Sequence, residues 1–160
     1  MIELARARVG GGTFFVADLG QPLEVLASAS CDVVVSSLAL DYVRDWTCPL
    51  REFRRVLVDR GRLVFSVQHP MAAFEWYRLE SAFGVQYVEG VWKSFGPHVV
   101  VPDHYRGFEE MVNPLLAAGF VLEKVIETRP VEALREVDPV EFEKYSRRPS
   151  FLCFAATRSA

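Results

Sequence analysis

Polar side chains follow two short apolar segments of this sequence. Residues 32–35 run into Ser37, and residues 62–67 run into His69. Both segments are rich in β-branched residues and do not alternate, which is typical of parallel strands covered on both faces. Because parallel strands end at one edge of a sheet, where ligands bind, these polar residues should meet there. A neutral imidazole at His69 could accept a proton from a hydroxyl or amine. The alternative is a structural histidine that bonds the backbone of the predicted lid segment.

A helix over residues 50–57 is predicted between these two strands. Leu50, Phe53 and Leu57 recur at helical spacing, and Pro49 suits the first turn because its missing N–H is not needed there. Strand, helix and strand in this order form one βαβ crossover. The pattern therefore predicts an α/β fold with a doubly wound, mostly parallel sheet.

A second polar cluster, His104–Arg106, follows an aromatic-rich segment over residues 71–105. Arg106 could pair bidentately with a substrate carboxylate or with an acid of that segment. The alternative is an exposed salt bridge worth about 0–1 kcal/mol. The segment is an insertion where a substrate lid would sit, and a hydrophobic cluster at the sheet edge is an equal alternative. Within it we expect strands over 85–88 and 99–101, around a loop at Gly96.

The remaining elements follow from periodicity and turn residues. Residues 108–116 have a helical pattern that Pro114 should kink, or restart with Asn113 as its cap. Asp138 should cap a polar helix over 139–145. The other predicted elements are a helix over 2–9, a strand over 13–17, a turn over 18–22, a short helix or loop over 23–29, and strands over 120–127 and 151–156. The last strand is so apolar that it should lie inside the sheet.

Taken together, these motifs resemble the class I S-adenosylmethionine-dependent methyltransferases, in particular the small-molecule group similar to the ubiquinone-biosynthesis C-methyltransferases. The resemblance spans nearly the whole chain, and its order and spacing are more specific than any single piece. The shared features are Asp32, the segments 37–40, 42–43 and 45–46, the helix around 50–57, Gly61, the strand ending at His69-Pro70, and the segments 105–106, 118–120 and 148–152.

The resemblance implies S-adenosylmethionine as cofactor and assigns roles to single residues. An acid at Asp18 would accept a hydrogen bond from the adenine amino group, and Leu19 would pack on the ring. Ser37 and Leu38 would line the other side of the cofactor. An ordinary turn aspartate and a serine at a strand end are the alternatives. The remaining assignments are His69 as the catalytic residue and Tyr42, His104, Tyr105 and Arg106 as substrate-binding residues.

The beginning of the resembled fold has no counterpart in this sequence. That fold opens with a strand, a glycine-rich turn and a helix, and its second strand ends in an acid. Here Gly10–Gly12 follow a predicted helix and precede a predicted strand, which is the reverse of the order needed to cradle a ligand. The triplet is therefore interpreted as a helix stop. We expect an N-terminally truncated domain that lacks the first two strands, and S-adenosylmethionine binding that is weak or lost.

The expected absence of the first two strands leads to a structural prediction. In the resembled sheet the last strand enters antiparallel between the fifth and sixth. Without the first two strands, residues 13–17 must pair directly with residues 32–38 or leave an exposed edge. Phe14, Val34 and Phe154 are expected to be buried. An exposed edge would permit a homodimer.

Composition indicates one domain spanning all 160 residues, of which 51% are hydrophobic. The net charge of −3 without a basic run argues against nucleic-acid and membrane partners. No apolar run approaches the length of a membrane helix, and no leader opens the chain, so a cytoplasmic location is expected. Cys31, Cys48 and Cys153 lack metal spacing and are interpreted as reduced, mostly buried thiols; the histidines offer no metal signature either.

The resulting hypothesis is methyl transfer from S-adenosylmethionine to a small-molecule substrate. Because the sulfonium already makes the methyl carbon electrophilic, the absence of a catalytic triad is no objection. The O, N or C atom that receives the methyl group is left open. The alternative is a catalytically inactive, truncated module with an interaction or regulatory role. A related nucleotide-binding enzyme such as a dehydrogenase is a third hypothesis.

Overall fold

The computed structural model describes residues 2–92 and 96–159. Its helices are α1 (Ile2–Arg8), α2 (Thr47–Val56), α3 (Pro70–Tyr77), α4 (Glu109–Ala117), α5 (Glu132–Val137) and α6 (Pro139–Arg147). Its strands are β1 (Cys31–Ser37), β2 (Leu57–Gln68), β3 (Val85–Trp92), β4 (Val99–Arg106), β5 (Phe120–Glu127) and β6 (Phe151–Arg158). A 3₁₀ turn spans Leu40–Tyr42.

Four strands form a mixed sheet in the order β1-β2-β6-β5. β1 is parallel to β2, and β6 is antiparallel to both β2 and β5. Ser37 lies beside Ser66, so β1 and β2 end at the same edge, as predicted. The structure also confirms the antiparallel last strand inside the sheet.

The main core lies between one face of this sheet and helices α2 and α4. Phe65 of β2 stacks on Phe154 of β6 with ring centroids 4.7 Å apart, and Trp46 meets Phe65 edge-on. The helical face predicted from Leu50 and Phe53 is buried against these rings. Helix α4 continues through Pro114 without the restart that the sequence allowed.

The opposite face of the sheet is open among the described residues. Along β2, Leu63, Phe65 and Val67 are buried, whereas Val64 between them is partly exposed. Its neighbour in β1, Val35, is 71% exposed. The prediction of strands covered on both faces is therefore wrong, because Val35 and Val64 on this second face are exposed in the described part of the chain.

The predicted strand over residues 13–17 is also absent from the described structure. These residues have no regular secondary structure, and Val16 is 88% exposed. Despite their high β-propensity, these residues do not form a strand because no neighbouring strand in the described structure supplies backbone partners. Phe154 is buried as predicted, but Phe14 and Val34 are only partly buried.

β1 is one of the two edge strands of the sheet, which confirms the expectation of an exposed edge. A homodimer through this edge stays a prediction. The three cysteines are free and half-buried, less buried than predicted. Within the described ranges, every helix is too short or too polar to cross a membrane.

Residues 71–105 contain α3 and an antiparallel hairpin of β3 and β4. Both predicted strands exist and are longer than predicted, and the loop at Gly96 lies partly outside the described residues. Ala73, Val88 and Tyr105 form a small second core between α3 and the hairpin. The sequence analysis missed α3, whose signal was Pro70 at the first helical position after a histidine cap.

Asp138 caps α6 as predicted, because its Oδ1 accepts a hydrogen bond from the Glu141 amide at 3.0 Å. Asp138→Ala should lower the free energy of unfolding by about 1 kcal/mol, since the amide loses its partner. Urea unfolding followed by circular dichroism measures this change. Asp138→Asn keeps an accepting oxygen and should be nearly neutral. Equal losses in both variants would contradict the capping role.

Candidate functional site: an acidic cleft at the strand ends

The chain turns sharply where β1 ends. Leu38 adopts a left-handed backbone conformation with φ of 49°, which is uncommon for a leucine. Its amide donates to the Ser66 carbonyl at 3.0 Å, so the turn is held against β2. The 3₁₀ turn that follows brings Asp41 back over the ends of both strands, where its Oδ2 accepts from the Gln68 amide at 3.1 Å.

Asp103 of β4 reaches the same place from the hairpin. Its Oδ2 accepts hydrogen bonds from the Gln68 side chain and from the Tyr77 hydroxyl, the latter at 2.8 Å. Asp41 and Asp103 are only 6% and 4% exposed. We call this site the acidic cleft; it is lined by Asp41, Gln68, Tyr77, Asp103, His104 and Arg106, among others.

The electrostatics of the cleft are dominated by burial and by the two nearby carboxylates. Burial raises the pKa of Asp41 to about 7, and the charge of Asp103 adds to this effect. The Gln68 amide and the Arg106 guanidinium lower the pKa of Asp41 but do not offset burial. Burial, with a smaller part from Asp103, also raises the pKa of Tyr77. Asp41 therefore gains or loses its proton close to neutral pH.

Arg106 fastens the hairpin to the segment after the 3₁₀ turn. Its guanidinium donates to the carbonyls of Val43, Arg44 and His104 and lies 4.6 Å from the Trp46 ring centroid. Burial lowers the pKa of Arg106 to about 10, while Asp41 and Asp103 oppose that shift. The exposed salt bridge considered from sequence is wrong, because Arg106 is buried and donates to backbone. Pairing with a substrate carboxylate stays a prediction.

The other predicted substrate residues occupy different positions. Nδ1 of His104 is buried and lacks a hydrogen-bond partner in the described part of the chain. Burial, followed by the charge of Arg106, lowers the pKa of His104. Tyr105 donates to the Ala82 carbonyl at 3.0 Å and packs in the second core, and Tyr42 is half-exposed. The structure thus brings His104 and Arg106 together at the cleft.

His69 caps α3 rather than standing free at the strand end. Its Nδ1 accepts from the Met71 amide, and its Nε2 lies 3.2 Å from Oε1 of Glu127. The acceptor role of Nδ1 places the proton on Nε2 in a neutral ring. A proton-accepting role for His69 would first have to break one of these contacts. Catalysis by His69 stays a prediction, and the bond to the Met71 amide matches the structural alternative.

The predicted cofactor residues lie in two places. Ser37 and Leu38 lie at the strand end, and both are exposed. Asp18 forms a turn in which Oδ1 accepts from the Gly20 amide at 2.8 Å, and Leu19 packs against the main core. An exposed carboxylate, a hydroxyl and two apolar side chains suit the amino group, ribose and ring of an adenosyl group. These residues fit the cofactor chemically, and their role stays a prediction.

Sequence reasoning missed Asp41, Gln68, Tyr77 and Asp103 as site residues. The available signal for Asp41 was an acid within the otherwise apolar run that follows a strand end. Asp103 carried no comparable signal, because only the fold of the hairpin brings it over β2.

Part of the sequence matches one family model, and the whole fold is similar to solved structures. Residues 1–65 match the family model described as a methyltransferase domain. An S-adenosylmethionine-dependent methyltransferase from Mesorhizobium loti is 31% identical, with a TM-score of 0.71, over 97% of this chain and 75% of that one. No curated protein matches the sequence.

Two further solved structures show the same fold at lower identity. A protein assigned as an S-adenosylmethionine-dependent methyltransferase from Listeria monocytogenes has a TM-score of 0.78 and 22% identity, over 100% of this chain and 76% of that one. A methyltransferase of the same class from Methanosarcina mazei has a TM-score of 0.64 and 16% identity, over 99% and 77%.

The chain belongs to the S-adenosylmethionine-dependent methyltransferases, and it has their Rossmann-like α/β fold. The likeness inferred from the sequence motifs is thereby confirmed at the level of family, fold and enzyme class.

Proposed function

We propose that this protein transfers a methyl group from S-adenosylmethionine to a small-molecule acceptor in the cytoplasm. The observation that carries this proposal is the acidic cleft, which lies at the shared carboxyl edge of β1 and β2. Ser37 and Leu38, proposed to contact the cofactor, immediately precede the turn that supplies Asp41. A cofactor on the strand ends would therefore lie next to buried polar groups.

The size of the site favours a small acceptor. The cleft encloses about 10 Å³, which is room for roughly one water molecule. The β3–β4 hairpin covers it and is tied down through Asp103 and Arg106. A folded macromolecule could not bring a backbone or base into such a space without moving the hairpin.

The residues have distinct proposed roles in this reaction. S-adenosylmethionine, when bound, supplies an electrophilic methyl group and needs little acid–base assistance. Asp41 can accept a proton near neutral pH because burial raises its pKa to about 7. Gln68 and Tyr77 hold Asp103 in place through hydrogen bonds, so the two carboxylates keep a fixed orientation.

Calorimetric titration with S-adenosylhomocysteine, the demethylated cofactor, tests the proposal. The proposal requires micromolar binding to the 160-residue protein, in contrast to the weak or lost binding expected from the sequence. Asp18→Ala should weaken binding about tenfold, because one charge-assisted hydrogen bond is lost. Asp59→Ala is the matched control, since this exposed carboxylate lies at the other end of the sheet. Failure of the unmodified protein to bind would overturn the proposal and favour the inactive interaction module.

A further inference from the structure

Three hydrogen-bond acceptors converge on the acidic cleft. Two are the buried carboxylates of Asp41 and Asp103. The third is Nδ1 of His104, which is buried without a partner among residues 2–92 and 96–159. The His104 imidazole also forms a hydrogen bond with the backbone of Asp41, and this contact favours a proton on Nε2. Nδ1 is then left with a lone pair.

The two carboxylates form no salt bridge in the described structure, and the nearby charge of Arg106 offsets only part of their negative charge. The cation that lines it, Arg106, donates to the carbonyls of Val43, Arg44 and His104. Asp103 receives its side-chain hydrogen bonds from Gln68 and Tyr77, which are neutral. Buried charges in proteins are ordinarily paired, and Arg106 supplies one positive charge near two carboxylates. When both carboxylates are ionised, one further cation would balance the charge of the cleft.

We propose that the methyl acceptor is an amine, whose ammonium group binds between Asp41, Asp103 and the free nitrogen of His104. This inference rests on the proposed function and names its substrate class. An ammonium group has three N–H donors, which match the three acceptors of the cleft. A carboxylate would be repelled there, and a hydroxyl would supply one donor and no charge.

The dimensions of the cleft agree with this assignment. Its volume of about 10 Å³ accommodates one group the size of a water molecule, and an ammonium head is of that size. The rest of the amine would extend toward Tyr42, which is half-exposed.

The same residues account for the proton that must leave. The Asp41 carboxylate takes one proton from the ammonium group, which exposes the nitrogen lone pair. That lone pair forms the new C–N bond to the methyl carbon, while the C–S bond breaks and its electron pair stays on sulfur. Asp103, fixed by its hydrogen bonds, retains the negative charge that holds the methylated ammonium product.

Three probes that share a phenyl ring and differ in the polar group test the inference: benzylamine, benzyl alcohol and benzoate. Titration at pH 7.5, followed by amide NMR shifts, should give a dissociation constant at least tenfold lower for benzylamine, which is protonated at this pH, than for benzyl alcohol. Benzoate should not bind. Asp41→Asn and Asp103→Asn should each abolish most of the preference for benzylamine. Asp59→Asn, an exposed carboxylate outside the cleft, should leave it unchanged.

The outcomes separate this inference from the proposed function. The amine assignment is overturned if the intact protein binds benzylamine and benzyl alcohol equally, or does not bind benzylamine at about 20 mM. Both outcomes are measured on the intact protein, so they do not depend on the folding of the variants. S-adenosylhomocysteine is titrated into the same samples. If the intact protein binds S-adenosylhomocysteine but shows no preference for benzylamine, only this inference is overturned. If it does not bind S-adenosylhomocysteine, the proposed function is overturned.

Discussion

Phe65→Ala should destabilise the protein by about 3–5 kcal/mol, the range for removing a buried aromatic ring. Phe65 is 1% exposed, stacks on Phe154 at 4.7 Å and meets Trp46 edge-on, so its loss leaves a cavity between these two aromatic rings. The midpoint of thermal unfolding should fall by roughly 10 °C for a chain of this size. Urea unfolding followed by circular dichroism measures the change in free energy.

Phe83→Ala provides the matched control for this loss of a ring. Phe83 is 79% exposed, and its substitution should change the free energy of unfolding by no more than about 0.5 kcal/mol. Phe65→Leu keeps part of the buried volume and should fall between the two. A loss below about 1 kcal/mol for Phe65→Ala would contradict the stacked core.

The second large effect concerns the pH dependence of stability. The pKa of Asp41 is about 7 in the folded protein and about 4 in the unfolded chain. Between these values the folded state binds more protons than the unfolded state, so stability falls as pH rises from about 4 to about 7. A shift of this size corresponds to at most about 4 kcal/mol.

Asp41→Asn should remove this dependence, because the amide stays neutral at every pH. The variant should be more stable than the original protein at pH 8 by up to about 4 kcal/mol, and the advantage should vanish toward pH 4. Denaturation at several pH values measures the difference between the two proteins. The other ionisable groups near the site remain in both: Tyr42, Tyr77, Asp103, His104 and Arg106.

A pH-independent difference between the two proteins would contradict a raised pKa at Asp41. Asp45→Asn is a useful comparison, since Asp45 is exposed on the same segment and its hydrogen bonds to Thr47 lower its pKa. That variant should instead lose stability relative to the original protein as pH rises from acid to neutral.

Much of the fold could be predicted because it depends on local patterns. The βαβ unit around Leu50 and Phe53 and the final strand at Phe154 were recognisable from apolar runs and helical spacing. The prediction of a strand over 13–17 was wrong because strand formation depends on a partner and not only on the local pattern. A strand needs a neighbour, and the sequence does not reveal whether one is present.

The site was less predictable because it is assembled from distant parts of the chain. Asp41 and Asp103 lie 62 positions apart, and only the packing of the hairpin over β2 brings both to Gln68. Arg106 was singled out from the sequence as a substrate-binding residue, but its burial among backbone carbonyls has no sequence signature. His69 illustrates the same limit, since its cap on α3 became visible only with the helix.

The uncovered edge of the sheet has a consequence for how the molecule behaves in concentrated solution. β1 is short, rich in valine and nearly uncharged, and Val33 and Val35 face solvent. Segments of this composition on an open edge are templates for cross-β growth. We therefore expect storage lifetime to depend more on concentration than on resistance to denaturant, with fibrillar aggregates rather than soluble unfolded chains as the end product.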